Sequence, residues 1–111
     1  MTAAAAEKRL LGLLGLGVRG RLAVVGVEQV RQAARRGRLA LAVIAADASR
    51  HSVEKVVPLL RAKGIGTIAG PPAARLGAAV GREAAAAVGI VDKDLADGVR
   101  RIVHVESSRT R

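Results

Sequence analysis

The chain has 111 residues, enough for one domain, and carries 19 Lys and Arg against nine Asp and Glu, a formal net charge of +10; a folded domain so charged attracts polyanions, with nucleic acid the default partner. It has no cysteine and no aromatic residue, which excludes a disulfide framework, a catalytic thiol, a thiolate metal site and the aromatic stacking platforms of RNA-recognition and OB modules. The core must therefore be filled by Ala, Val, Leu and Ile, each of which buries less than an aromatic ring, and the lack of cysteine fits an expected cytoplasmic setting.

Ala3 to Leu16 reads as a helix with Leu10, Leu13 and Leu14 turned inward, weakened by Gly12 and Gly15. Lys8 and Arg9 ahead of the uncharged run Leu10 to Val18 resemble the start of a secretion signal. Arg19 and Arg21 follow at once, however, with no small-x-small cleavage pattern, and no stretch reaches the roughly 20 residues a membrane span needs. No membrane partner is expected. Gly15, Gly17 and Gly20 match GxGxxG literally, but a dinucleotide site needs a strand before the glycines, a helix directly after them and an acid about 20 residues on, where Leu39 and Ala40 stand.

Leu22 to Val25 is a short predicted strand. It leads into GVEQVRQAARRG, Gly26 to Gly37, a helix opened and closed by glycine. At about 100° per residue, Val27, Val30, Ala33 and Ala34 share one arc, and Glu28, Arg31, Gln32, Arg35 and Arg36 the opposite one. Backbone N–H groups at the Gly26 end are unblocked and lie at the positive end of the helix dipole, a place suited to a phosphate.

Leu39 to Ala46 is a continuous apolar run bounded by Arg38 and Asp47, hence a central strand covered on both faces. Asp47, Ser49 and Ser52 are turn and cap residues. His51 to Lys63 is a further helix with Val53, Val56, Val57 and Leu60 inward and Pro58 removing one backbone donor. Gly64 ends it. Ile65 to Ala69 is the next strand; Gly70, Pro71 and Pro72 turn into a helix from Ala73 to Val80 that stops at Gly81. Arg82 to Ala85 is a loop, Ala86 to Val91 the last strand, and Asp92 caps a helix running to about Ile102. Residues 104–111 read as a basic, frayed tail after a single domain of residues 1–103. Strands alternating with helices imply an α/β fold, a three-layer α/β/α sandwich around a mixed sheet of about four strands.

Catalytic chemistry finds no support. His51 and His104 are isolated from other metal ligands, Asp92, Lys93 and Asp94 sit where a helix start wants them, and no Ser/His/Asp arrangement stands out. Neither a cofactor nor a metal is expected.

In this order and spacing, LLGLGVRGRLAVVGVEQV ending at Val30, RRGRLALAVIAADAS ending at Ser49, VVPLLRAKGI from Val56, ARLGAAVG from Ala74 and VGIVDKDLADGV ending at Val99 are similar to a known family. The chain resembles the kink-turn-binding large-subunit ribosomal proteins of L-seven-Ae and L-thirty-e type, above all their small bacterial paralogues, from about Leu10 to Ile102. The resemblance implies a non-catalytic RNA-binding protein of structured, kink-turn-like RNA, associated with ribosomal or other ribonucleoprotein partners. It implies a face built from the start of the Gly26 helix and from the loop Arg82, Glu83, Ala84, Ala85 and Ala86. Glu28, Gln29 and Gln32 fall at its base-contacting positions, and Gly26 and Val27 approach the RNA backbone. Small loop residues would cover a flipped-out nucleotide. Arg35 and Arg36, with Arg19, Arg21, Arg31 and Arg38, would supply phosphate contacts.

This chain departs from the family at two of those positions. Glu28 stands where the family has Asn or Lys, and Gln32 where it has Lys; a carboxylate beside phosphates repels them. Gln29 still offers a donor and an acceptor to a purine edge. The departures keep a second reading open, a protein-interaction or assembly module on a scaffold that has lost its RNA site. A third is the substrate-binding domain of an RNA-modifying enzyme.

Overall fold

The structure, a computed structural model, describes residues 2–110, with the side chains of residues 104–110 left aside. Its elements in chain order are α1 (Ala3–Arg19), β1 (Ala23–Val25), α2 (Val27–Arg35), β2 (Leu41–Ile44), α3 (Arg50–Ala62), β3 (Gly66–Ala69), α4 (Ala73–Ala79), β4 (Ala87–Ile90) and α5 (Lys93–Thr110). The four strands form one mixed sheet in the order β1-β4-β2-β3. β4 runs antiparallel to both its neighbours, Ala23 opposite Ile90 on one side and Ile44 opposite Ala87 on the other, while β2 and β3 are parallel.

Alternation along the strands divides the core into two clusters, as a pleated sheet covered on both sides requires. Leu41 and Val43 of β2, Val88 and Ile90 of β4, and Ala23 and Val25 of β1 meet Leu10 and Leu14 of α1, Leu76 of α4 and Val99 of α5. Ala42 and Ala87 face the other way, onto Val30, Ala33 and Ala34 of α2 and Val56 and Leu60 of α3. The result is the expected α/β/α sandwich, with α1, α4 and α5 on one face and α2 and α3 on the other. Without aromatic rings the layers must approach closely. At Gly89, in the middle of β4, an added Cβ would stand 2.6 Å from Leu39 and 3.1 Å from Val30, so the absent side chain lets α2 settle on the sheet.

The predicted caps are in place. Ser49 Oγ accepts the Ser52 N–H at 3.1 Å and Asp92 Oδ2 the Leu95 N–H at 2.8 Å. Asp47 serves a helix other than its neighbour: its carboxylate accepts the N–H of Ala73, first residue of α4, at 2.7 Å. Gly37, Gly64 and Gly81, each after a helix, have φ of 70°, 70° and 79°, the left-handed stop that glycine provides.

Several boundaries differ from expectation. α1 continues past Leu16 to Arg19, and Gly15 and Gly17 lie inside it, so the literal GxGxxG is a helix and not a phosphate loop. The helix packs through Leu10 and Leu14 onto the domain. β2 is shorter than the apolar run, because Ala46 already turns its N–H to the Pro71 carbonyl. β3 is an edge strand and mostly exposed. α5 extends past Ile102 to Thr110, while the side chains of the expected tail, residues 104–111, lie outside the described ones. Among the described residues, no helix is long and apolar enough to cross a membrane, and no group of His, Asp or Glu could hold a metal ion.

Candidate nucleic-acid interface

One end of the sheet gathers the C-termini of β1, β2 and β3 and the N-terminus of β4. Two of the predicted segments meet there. The Gly26 N–H donates to the Ala87 carbonyl at 2.9 Å, and the Ala45 N–H to the Ala86 carbonyl at 2.8 Å. The residue that opens α2 is thus bonded to the residue that follows the Arg82 to Ala86 loop.

Gly26 holds φ 100° and ψ 154° with nothing within 4 Å of a would-be Cβ. That backbone region is essentially closed to other residues, so glycine here serves the abrupt change from strand to helix and leaves the space in front of α2 open. No side chain caps α2. The N–H groups of Val27, Glu28 and Gln29 therefore belong to the first turn that has no acceptor within the helix.

The side chains of α2 sort as its periodicity foresaw, with one exception. Val30, Ala33 and Ala34 are buried, Val27 half-buried, and Glu28, Gln29, Gln32, Arg35 and Arg36 exposed. Arg31 was expected on the polar arc but is half-buried. Its Nη1 lies 3.7 Å from Glu28 Oε1, and its Nε is buried without a partner. Burying part of the arginine brings its charge beside Glu28, which partly compensates the carboxylate at the start of α2. With Glu28 exposed, the pair adds little stability.

The loop is held from below. An added Cβ on Gly77 of α4 would stand 2.5 Å from the Ala84 Cα and 2.7 Å from its N and C atoms, so loop and helix are in backbone contact. The Arg82 N–H donates to the Gly77 carbonyl at 2.8 Å and the Ala85 N–H to the Ala73 carbonyl at 3.0 Å. Arg82, Glu83 and Ala84 are exposed and Ala86 half-buried. Ala85 is 4% exposed and points into the core cluster; it fixes the loop and offers its methyl to no ligand in this arrangement.

A second feature was only partly visible beforehand. Along the flank of α2, over edge strand β1, Gln29 and Gln32 share a shallow groove of ≈ 210 Å³ with Arg21, Arg36 and Arg38. Arg36 and Arg38 flank Gly37 at the end of α2, while Arg21 comes from the turn before β1, and no spacing rule joins it to them.

A mixed four-stranded sheet between two helical layers, with a glycine-started polar helix and an alanine loop at one sheet end, defines a class of small α/β/α domains. Within that class the chain belongs to the ribosomal protein L7Ae/L30e/S12e/Gadd45 family, whose sequence model matches residues 9–99. Among solved structures, a Bacillus halodurans protein of unknown function is similar over 86% of this chain and 96% of its own, at 26% identity and a TM-score of 0.79. The Giardia lamblia 15.5kD RNA binding protein shares the fold over 94% of this chain and 89% of its own, at 23% identity and a TM-score of 0.74. None of the curated proteins matches the chain by sequence.

Proposed function

We propose that the chain is a non-catalytic RNA-binding protein that recognises structured, kink-turn-like RNA in a ribosomal or other ribonucleoprotein setting in the cytoplasm. The observation that carries this reading is the 2.9 Å hydrogen bond from Gly26 to Ala87, which puts the open start of α2 beside the exposed part of the loop. Family membership and net charge support the same conclusion. In this reading Gly26 and Val27 let the RNA backbone approach, and Glu28, Gln29 and Gln32 meet base edges. Ala84 and Ala86 form the small surface against an extruded nucleotide, with Ala85 beneath them and Glu83 at the rim. Arg35, Arg36 and Arg82 supply charge. Helix dipole and unbonded amides favour the phosphate, and the amide side chains read the base.

Titration of a kink-turn RNA and a plain duplex of equal length tests it. The kink-turn is expected to bind at least tenfold tighter, and Gln29→Ala to remove about tenfold of that preference, the lower end of a good base contact. If about five phosphates are neutralised, affinity falls on the order of several hundredfold between about 50 and 200 mM salt. Equal binding of both RNAs, unaffected by Gln29→Ala, overturns the reading. Because the chain lacks Trp and Tyr, absorbance at 260 nm reports bound RNA cleanly. Copurification with a protein and no nucleic acid would favour the assembly-module alternative.

A further inference from the structure

β3 closes one side of the sheet, and among the described residues nothing pairs with its outer edge. The Gly70 N–H donates inward to the Ile44 carbonyl at 2.7 Å, and alternate residues of a parallel ladder turn their amides the other way. Thr67 and Ala69 therefore direct their N–H and C=O groups outward, and both residues are exposed. Free edges are ordinarily blunted by a charge, a proline or a bulge. The strand Gly66–Ala69, GTIA, holds neither charge nor proline, and its register with β2 is unbroken.

The two ends of this edge differ in chemistry. Past Ala69 a groove of ≈ 330 Å³ opens between α1, α5 and the Gly70–Pro71 turn, lined in part by Ala6, Leu10, Pro71 and Ile102. Its one acid, Glu7, is taken by Arg75 at 2.8 Å. Ahead of Gly66 stand Arg61, in the last turn of α3, and Lys63, its C-cap. Both are exposed, and among the described residues neither has an ion-pair partner. The dipole of α3 accounts for their sign and leaves their charge unmatched.

We propose that β3 accepts an extended segment of a partner protein as a fifth strand, with an apolar residue in the groove beside Gly70 and acidic residues against Arg61 and Lys63. The open edge supplies main-chain hydrogen bonds, while the groove and the cations fix which segment fits. Antiparallel pairing is the stabler kind, so the apolar residue comes first in the partner and the acids follow. The four residues of β3 set that separation at about 13 Å, at about 3.3 Å each. RNA could meet the two cations but has no ladder of amides to match the edge. A second copy of the chain would bring its own charge of +10 against this one. The inference stands apart from the RNA-binding reading, since β2 and β4 separate β3 from the strand that leads into α2.

The probe is a dye-labelled peptide of about nine residues, a leucine followed by alternating valine and threonine and then by glutamates, titrated by fluorescence anisotropy. The full chain is expected to bind it at least about tenfold tighter than a scrambled peptide of the same composition. N-methylation of the peptide amides that face β3 should abolish binding, and methylation of the alternate ones should leave it within about twofold; this arm needs no protein variant. Thr67→Pro removes an N–H that the sheet does not use and should weaken binding about tenfold with the far-UV circular dichroism unchanged. Arg61→Gln with Lys63→Gln should also weaken it about tenfold, about threefold for each exposed pair, and flatten its salt dependence. Equal binding of the scrambled peptide, or indifference to which amides are methylated, overturns the proposal. A chain that sediments as a dimer and becomes a monomer on Thr67→Pro gives the edge to a second copy and overturns it too. So does displacement of the peptide by an RNA duplex whose own binding is lost in the Arg61, Lys63 variant. Kink-turn affinity should be unchanged by Thr67→Pro, so failure of the RNA-binding reading and failure of this one are seen separately.

Discussion

The start of α2 and the loop before β4 lie side by side, and each depends on one glycine, Gly26 for the first and Gly77 beneath the second, for opposite reasons. At Gly26 nothing surrounds the missing Cβ, and the glycine is required by its own backbone angles. At Gly77 space is the reason, since a Cβ there would meet the backbone of Ala84. The backbone path of the loop and the buried Ala85 are thus accounted for by packing, whatever binds above them. The polar face of α2 has no such account, because the side chains of Gln29 and Gln32 make no hydrogen bond within the described residues and are exposed. The case for recognition by particular side chains therefore leans on α2, and the loop contributes shape.

Substitutions separate the two cases. The largest effect is expected from Gly77→Ala, where the new methyl meets backbone atoms that cannot rotate away. Even after the roughly 1 kcal/mol that alanine gains over glycine in a helix, a net loss of about 3 kcal/mol should appear in urea unfolding followed by far-UV circular dichroism. A loss below about 1 kcal/mol would mean the loop is free to lift. Gly26→Ala should cost about 2 kcal/mol in the same assay although the space is empty, the full penalty being backbone strain. An unchanged midpoint would show that the strand-to-helix junction relaxes. Asp47→Ala removes the carboxylate that receives the Ala73 N–H and should cost about 1 kcal/mol, a usual capping loss. Its effect on RNA affinity should be smaller than that of Gln29→Ala. Gln29→Ala itself is expected to leave stability within about 0.5 kcal/mol, as exposed substitutions do, so any fall in affinity is chargeable to the lost amide.

Local signals served well where one segment determines its own state. The uninterrupted LALAVIAA run could be covered on both sides only in the middle of a sheet, and Leu41, Ala42 and Val43 are all buried there. Ser49 and Asp92 cap as their positions suggest, and the glycines at 37, 64 and 81 end their helices. The start of α2 was legible too, since glycine after an apolar strand and before an amphipathic stretch has few other uses. Properties that depend on two distant segments were not. Strand order, the contact of Gly77 with Ala84, and Asp47 serving α4 instead of α3 are set by tertiary placement. Arg31 looked like one more surface cation because periodicity knows the angle of a residue about its own helix and nothing of what packs around it. Ala85 likewise resembled its neighbours 84 and 86, yet a buried position separates it from them.

β4 is made next to last in the chain, yet it sits between β1 and β2. As the polypeptide leaves the ribosome, the earlier strands must leave a vacant lane, and the bond from Gly26 to Ala87 cannot close until that lane is filled. Nascent chains halted before residue 82 thus carry the helix but lack its companion loop. The helix start and the loop are therefore joined only in the step that completes the sheet.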